Sequence, residues 1–131
     1  MVGPLSLSML LISMAGCNCS SSNNEECRDA LRDARGAWTN YSAQIEPSVN
    51  ENLGSDLGAS LLRLQIETRA TGQAFDNLDE DRAMGRKLSF QYVEEHQKIA
   101  TELYQKLSRP KGTEFDEAVA AGDVAEKACL R

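Results

Sequence analysis

Residues 57–78, LGASLLRLQIETRATGQAFDNL, place Leu57, Leu61, Leu64, Thr68, Thr71, Phe75 and Leu78 at alternating steps of four and three. That period puts them on one stripe of an α-helix, and a seam of this kind suits the shallow crossing angles of a long helical bundle. Leu53 extends the stripe backward. Ser48 followed by Glu51 supplies a capping box, so the spacing predicts a helix over 49–78. Gly54, Gly58 and Gly72 lie inside it, and each costs a helix interior about 1 kcal/mol relative to Ala. Close packing or a frayed first turn, rather than a ligand site, accounts for them.

Working outward, the same period recurs on both sides. Upstream, Cys27, Ala30, Leu31, Ala34, Trp38, Tyr41 and Ile45 share a stripe; Ser22 with Glu25 caps it and Pro47 ends it, giving a helix over 24–45. Downstream, Asn77 to Asp81 reads as a turn in which Asp79 caps the next helix. Met84, Leu88, Tyr92, Ile99, Leu103 and Leu107, widened by Phe90, Val93, Ala100 and Tyr104, then predict a helix over 80–108 buried against two neighbours. Ser108, Pro110 and Gly112 break it. Thr113 with Asp116 opens a fourth helix over 113–130, with Phe115, Ala118, Val119, Ala125, Ala128 and Cys129 near one face. Four amphipathic helices on short connections predict an all-α domain over 25–131, an antiparallel up-down-up-down four-helix bundle.

The N-terminus carries a different message. An apolar stretch from Leu5 to Met14 is too short for a membrane span, which needs roughly 20 apolar residues. It has the length of a secretory signal core. It closes on Met14-Ala15-Gly16-Cys17, an aliphatic residue, two small residues and a cysteine, and in this it resembles the lipobox of bacterial lipoprotein precursors. The resemblance covers residues 1–17 alone. It implies that 1–16 is a signal peptide, that Cys17 becomes the first mature residue, and that Cys17 carries a diacylglycerol and an N-acyl chain. More than one chain makes such anchoring stable, at about 0.8 kcal/mol per buried methylene. Asn18, rather than Asp, after the cysteine implies the outer membrane of the cell envelope. Residues 17–24, polar and without period, read as a flexible tether that keeps the domain within about 25 Å of the bilayer, at about 3.5 Å per residue.

An exported chain meets an oxidising compartment, where disulfides persist. Up-down-up-down topology returns the end of the fourth helix to the start of the first, which brings Cys27 to Cys129. A Cys27–Cys129 disulfide is therefore expected, with Cys19–Cys27 as the competing pairing. Once Cys17 is lipidated and Cys27 paired, Cys19 is left over as a candidate intermolecular thiol, giving a monomer or a Cys19-linked dimer.

No charged residue precedes Glu25, so the net charge of −6 belongs entirely to the helical part. Nucleic acid and anionic lipid headgroups both require clustered basic side chains, and this composition argues against them. A basic protein partner is favoured instead.

Reaction chemistry finds little footing. His96 is the sole histidine, which limits triads and general-base schemes to one residue and excludes the paired Glu-x-x-His of di-iron bundles. It sits beside the third stripe as a core or boundary residue. The carboxylate runs Glu25-Glu26, Asp79-Glu80-Asp81, Glu94-Glu95 and Glu114 with Asp116-Glu117 read as solvated helix faces, and no calcium loop, phosphate loop or nucleophile elbow is present. No metal or cofactor is expected. Trp38, Tyr41, Tyr92 and Tyr104 read as core, or as one wall of a groove for a partner helix if the fourth helix is loosely held. The expectation is a non-enzymatic, lipid-anchored interaction or assembly module. The alternatives are an inhibitor or immunity-type lipoprotein against a basic envelope-attacking protein, and an enzyme relying on His96 or Cys19.

Overall fold

The computed structural model describes residues 17–107 and 112–130, with side chains from Asn24 onward. Among the described residues the chain is helical, with no strand. Its elements are α1 (Cys17–Gln44), α2 (Glu46–Glu51), α3 (Asp56–Ala83), α4 (Gln91–Gln105) and α5 (Glu114–Cys129). Four of these are long and form a four-helix bundle; α2 is a single short piece between the first two.

The seam expected in the second helix is real. Leu61, Leu64, Thr68, Thr71, Phe75 and Leu78 are all buried, while Leu57 is exposed; Leu64, Phe75 and Leu78 share one core with Leu31, Ala34, Trp38 and Tyr41 of α1. α1 packs on α3 and on α5, and α3 packs on α4. Between α1 and α3 the polar partners are Asn24 with Arg82, Arg32 with Asp79, Arg35 with Asp76, and Ser42 with Gln65. Between α3 and α4 Glu67 pairs with His96, and the ring of Phe75 meets that of Phe90, the residue preceding α4. Between α1 and α5 Cys27 is bonded to Cys129, and the ring of Trp38 meets that of Phe115.

Helix ends differ from the sequence expectation for identifiable reasons. The helix expected over 49–78 is divided: Pro47 lies in the first turn of α2, where its missing N–H is no loss, and Asn52 to Ser55 separate α2 from α3. The Ser48–Glu51 box gives way to Ser55, whose Oγ accepts from the Gly58 N–H at 3.0 Å. Leu53, outside α3, is exposed at 69%. Gly54 takes a φ of 85°, which an L side chain adopts only with strain.

The next turn is displaced as well. Asn77 to Asp81 are helical, and the acids there pair with Arg82, Arg32 and Arg86 rather than capping. The helix stops instead at Gly85, with φ at 72° and the Arg86 N–H donating to the Asp81 carbonyl at 2.8 Å, the six-to-one bond of a Schellman motif. The helix expected over 80–108 therefore begins only at Gln91, and Met84 is exposed. The helix expected over 113–130 runs from Glu114; Thr113 precedes it but its Oγ1 donates to Glu117 Oε2 at 3.2 Å instead of capping with Asp116.

α1 starts at Cys17 rather than near residue 24, so the backbone of the stretch read as a tether is helical. Propagation is cheap once a helix is nucleated, and the packed turns from Cys27 onward supply the nucleus. The apolar leader 1–16 and the side chains of Cys17 and Cys19 lie outside the described residues. No described helix is long and apolar enough to cross a membrane.

Candidate functional site

α5 is held at its two ends. At one end Cys27, buried on α1, is bonded to Cys129, with S–S 2.02 Å and a Cα separation of 4.6 Å across 102 residues of sequence. At the other, Phe115 is enclosed by aromatic rings. It stacks on Tyr104 at 4.0 Å with planes 6° apart, and meets Trp38 and Tyr41 edge-on at 5.4 Å and 5.3 Å. Burial, then the neighbouring Tyr104 and Glu114, pushes the Tyr41 hydroxyl above its ordinary range. Tyr104 is pushed up in the same sense by burial and by Asp116 and Glu114. Three of the four aromatic residues considered for recognition thus belong wholly or partly to the core; Tyr92 alone is exposed, at 57%.

Between these ends α5 faces α4 across a groove of about 300 Å³. The α4 wall presents Val93, Glu94, Gln97, Lys98, Thr101 and Glu102, and the α5 wall presents Gly122, Asp123 and Glu126. Gly122 permits the approach of its neighbours, since a Cβ there would stand 3.1 Å from both Gln97 Oε1 and Phe75 Cζ. The charge is one-sided, four carboxylates to the ammonium of Lys98. Glu126 faces Glu94: a hydrogen bond to Glu94, then burial and the charges of Glu94 and Asp123, raises Glu126 above the ordinary carboxylate value. The groove opens at its far end onto a shallow depression bounded by Asp123, Glu126, Lys127 and Leu130.

The spacing argument saw Glu94 only as a solvated helix position and did not single out Asp123 or Glu126. Nothing local in the sequence links Glu94 to Glu126, because their proximity is set by how α4 and α5 dock. A clue was available in Gly122: a glycine on the apolar face of α5 marks a place where neighbours come close.

His96, half-buried, has its Nδ1 2.7 Å from Glu67 Oε1 and the edge of Tyr92 against its ring, with centroids 4.4 Å apart. The pair staples α3 to α4. Among the described residues no hydroxyl or thiol is recorded in hydrogen-bond contact with His96, and no group of three or more His, Cys, Asp or Glu side chains is arranged to hold a metal ion. The arrangement orients one imidazole against a carboxylate.

The chain matches no protein-family model, no curated protein and no solved structure.

Proposed function

We propose that this chain is a lipid-anchored, non-catalytic interaction module of a bacterial cell envelope, tethered through Cys17 at the outer membrane. The observation that carries the reading is Met14-Ala15-Gly16-Cys17 directly behind an apolar leader, followed at once by a helical domain. We further infer that the four long helices run up-down-up-down, each antiparallel to the next. The partners recorded above support this, since positions rising along one helix meet positions falling along its neighbour.

The first experiment is the intact mass of the protein taken from the membranes of a bacterial host. The reading expects a chain beginning at Cys17 with acyl mass added, and Cys17→Ser abolishing both the added mass and membrane retention. A full-length, unmodified chain in the membrane fraction would refute it.

A second reading is favoured by the carboxylates along the α4–α5 groove: an inhibitor or immunity-type lipoprotein that takes a basic segment of an envelope-attacking protein. Charge-steered association weakens as salt rises, because the Debye length shrinks from about 10 Å at 0.1 M to about 3 Å at 1 M. Capture of a basic partner that falls with ionic strength and with Glu94→Gln or Asp123→Asn supports this reading. Capture indifferent to both returns the choice to a neutral assembly contact. Alanine at His96 is expected to leave capture intact in either case.

A further inference from the structure

We infer that α5 is a redox-sensitive latch: the Cys27–Cys129 disulfide holds it on the face of α1, and reduction by a dithiol releases α5 while α1, α3 and α4 stay folded. The inference concerns how the bundle is controlled and does not rest on the lipid anchor or on the identity of a partner.

The first support is the composition of the buried face of α5. Its buried residues are Phe115, Ala118, Gly122, Ala125 and Ala128. Apart from Phe115 these are the smallest side chains, joined by the partly buried Val119, Ala121 and Cys129, and hydrophobic stabilisation scales with the apolar area removed from water. α3, by contrast, buries Leu61, Leu64, Phe75 and Leu78. The second is position. α5 packs principally on α1, whereas α3 is shared among α1, α2 and α4, so removing α5 leaves the packing of α3 on both long neighbours in place.

The third is charge. Where α5 turns toward α4, Glu126 and Asp123 meet Glu94 and Glu102, with Lys98 on α4 and Lys127 on α5 as the nearby cations. Glu126 is raised by this company, so the contact resists closure as the carboxyls ionise. The disulfide sits three residues beyond Glu126, at the end of α5 remote from Phe115, where the buried side chains of α5 are only those of Ala125 and Ala128.

The chemistry is thiol–disulfide exchange, with a dithiol as the reductant. One thiolate attacks Cys129 Sγ, the less buried partner, forming a mixed disulfide. The Cys27–Cys129 bond breaks, and its electron pair goes to Cys27 Sγ, which takes up a proton. The second thiol of the reductant then closes on the first, releasing Cys129 as a thiol and leaving the reductant oxidised to a disulfide. Release uncovers Trp38 and Tyr41 of α1 where they meet Phe115.

The test is amide hydrogen exchange on the full chain, oxidised and after equilibration with dithiothreitol, with a dye that reports exposed apolar surface. Exchange across 114–129 is expected to rise at least tenfold on reduction, while the α1 and α3 amides around Trp38 and Leu64 stay within about twofold and dye fluorescence increases. Cys27→Ser with Cys129→Ser should show the released pattern without reductant and no further change with it, which separates this pair from Cys17 and Cys19. An α5 whose exchange is unchanged by reduction overturns the inference. So does loss of protection by the same factor in all four long helices, or a double variant that still responds to dithiothreitol.

Discussion

Gly58 lies with its Cα against the Asn52 carbonyl, so close that a Cβ could not be accommodated between them. The contact is built by Ser55, whose hydroxyl donates to the Asn52 carbonyl at 2.6 Å and accepts from the Gly58 N–H at 3.0 Å, fixing the entry into α3. Because the obstacle is backbone, it cannot swing aside. Gly58→Ala should therefore destabilise the fold by about 1–3 kcal/mol, the range for overpacking, although alanine is the better helix former. Urea denaturation compares the two chains; a gain in stability would show that the α2–α3 link yields easily.

Trp38 is fully enclosed, and its indole Nε1 has no hydrogen-bond partner. A buried donor left unpaired costs about 1–3 kcal/mol, whereas truncating a large aromatic core side chain costs about 3–5 kcal/mol. Trp38→Phe removes the unpaired donor while keeping most of the apolar body, so its cost should be below about 2 kcal/mol. Trp38→Ala should cost about 3–5 kcal/mol. Thermal unfolding of the pair checks the order; a loss at Trp38→Phe as large as at Trp38→Ala would mean that a smaller ring recovers none of the packing.

The helical class, the seam from Leu61 to Leu78 and the pairing of Cys27 with Cys129 could be read from the sequence because each depends on periodicity or on the return of one helix end to another. The ends of α3 could not be read that way. Acids at Asp79 to Asp81 look like a cap in isolation, yet in place they serve Arg32, Arg82 and Arg86, and the terminator is Gly85 in a left-handed conformation. Position along a periodic pattern cannot distinguish these, since both precede a polar run. The groove was hidden for a similar reason: Glu94 and Glu126 are ordinary surface positions on their own helices, and only docking makes them neighbours.

Ser42 and Gln65 were also missed, and they join α1 to α3 reciprocally. Ser42 Oγ donates to the Gln65 carbonyl, and Gln65 Nε2 donates to the Ser42 carbonyl, both at 3.2 Å and both out of solvent. Arg35 and Asp76 bridge the same two helices at 2.9 Å, but with side chains about half exposed. Buried and exposed pairs should respond differently. Gln65→Ala leaves the Ser42 carbonyl without this donor and should cost about 1–3 kcal/mol. Arg35→Ala should cost less than about 1 kcal/mol, and that cost should shrink as salt rises. Chemical denaturation of both variants decides it, and a larger loss at Arg35 would reverse the assignment of which pair holds α1 to α3.

Glu126 gives the fold a pH dependence whose sign is fixed by its surroundings. Its carboxyl is raised above the ordinary value of 4.5 by the hydrogen bond to Glu94, then by burial and by the charges of Glu94 and Asp123. Between the unfolded and folded values the native state therefore binds more protons than the unfolded chain, and stability from this group falls as pH rises. Its contribution is complete below about pH 4.5 and is lost as pH climbs through the folded value. Glu126→Gln keeps a hydrogen-bonding group and removes the ionisation. The variant should be more stable than the parent near neutral pH, with the difference shrinking as pH falls toward 4.5 and below. Thermal unfolding of both chains from pH 4 to 8 measures this directly. A difference that grows on acidification would mean that Glu126 is held in its charged form, and that α4 and α5 are drawn together there rather than pushed apart.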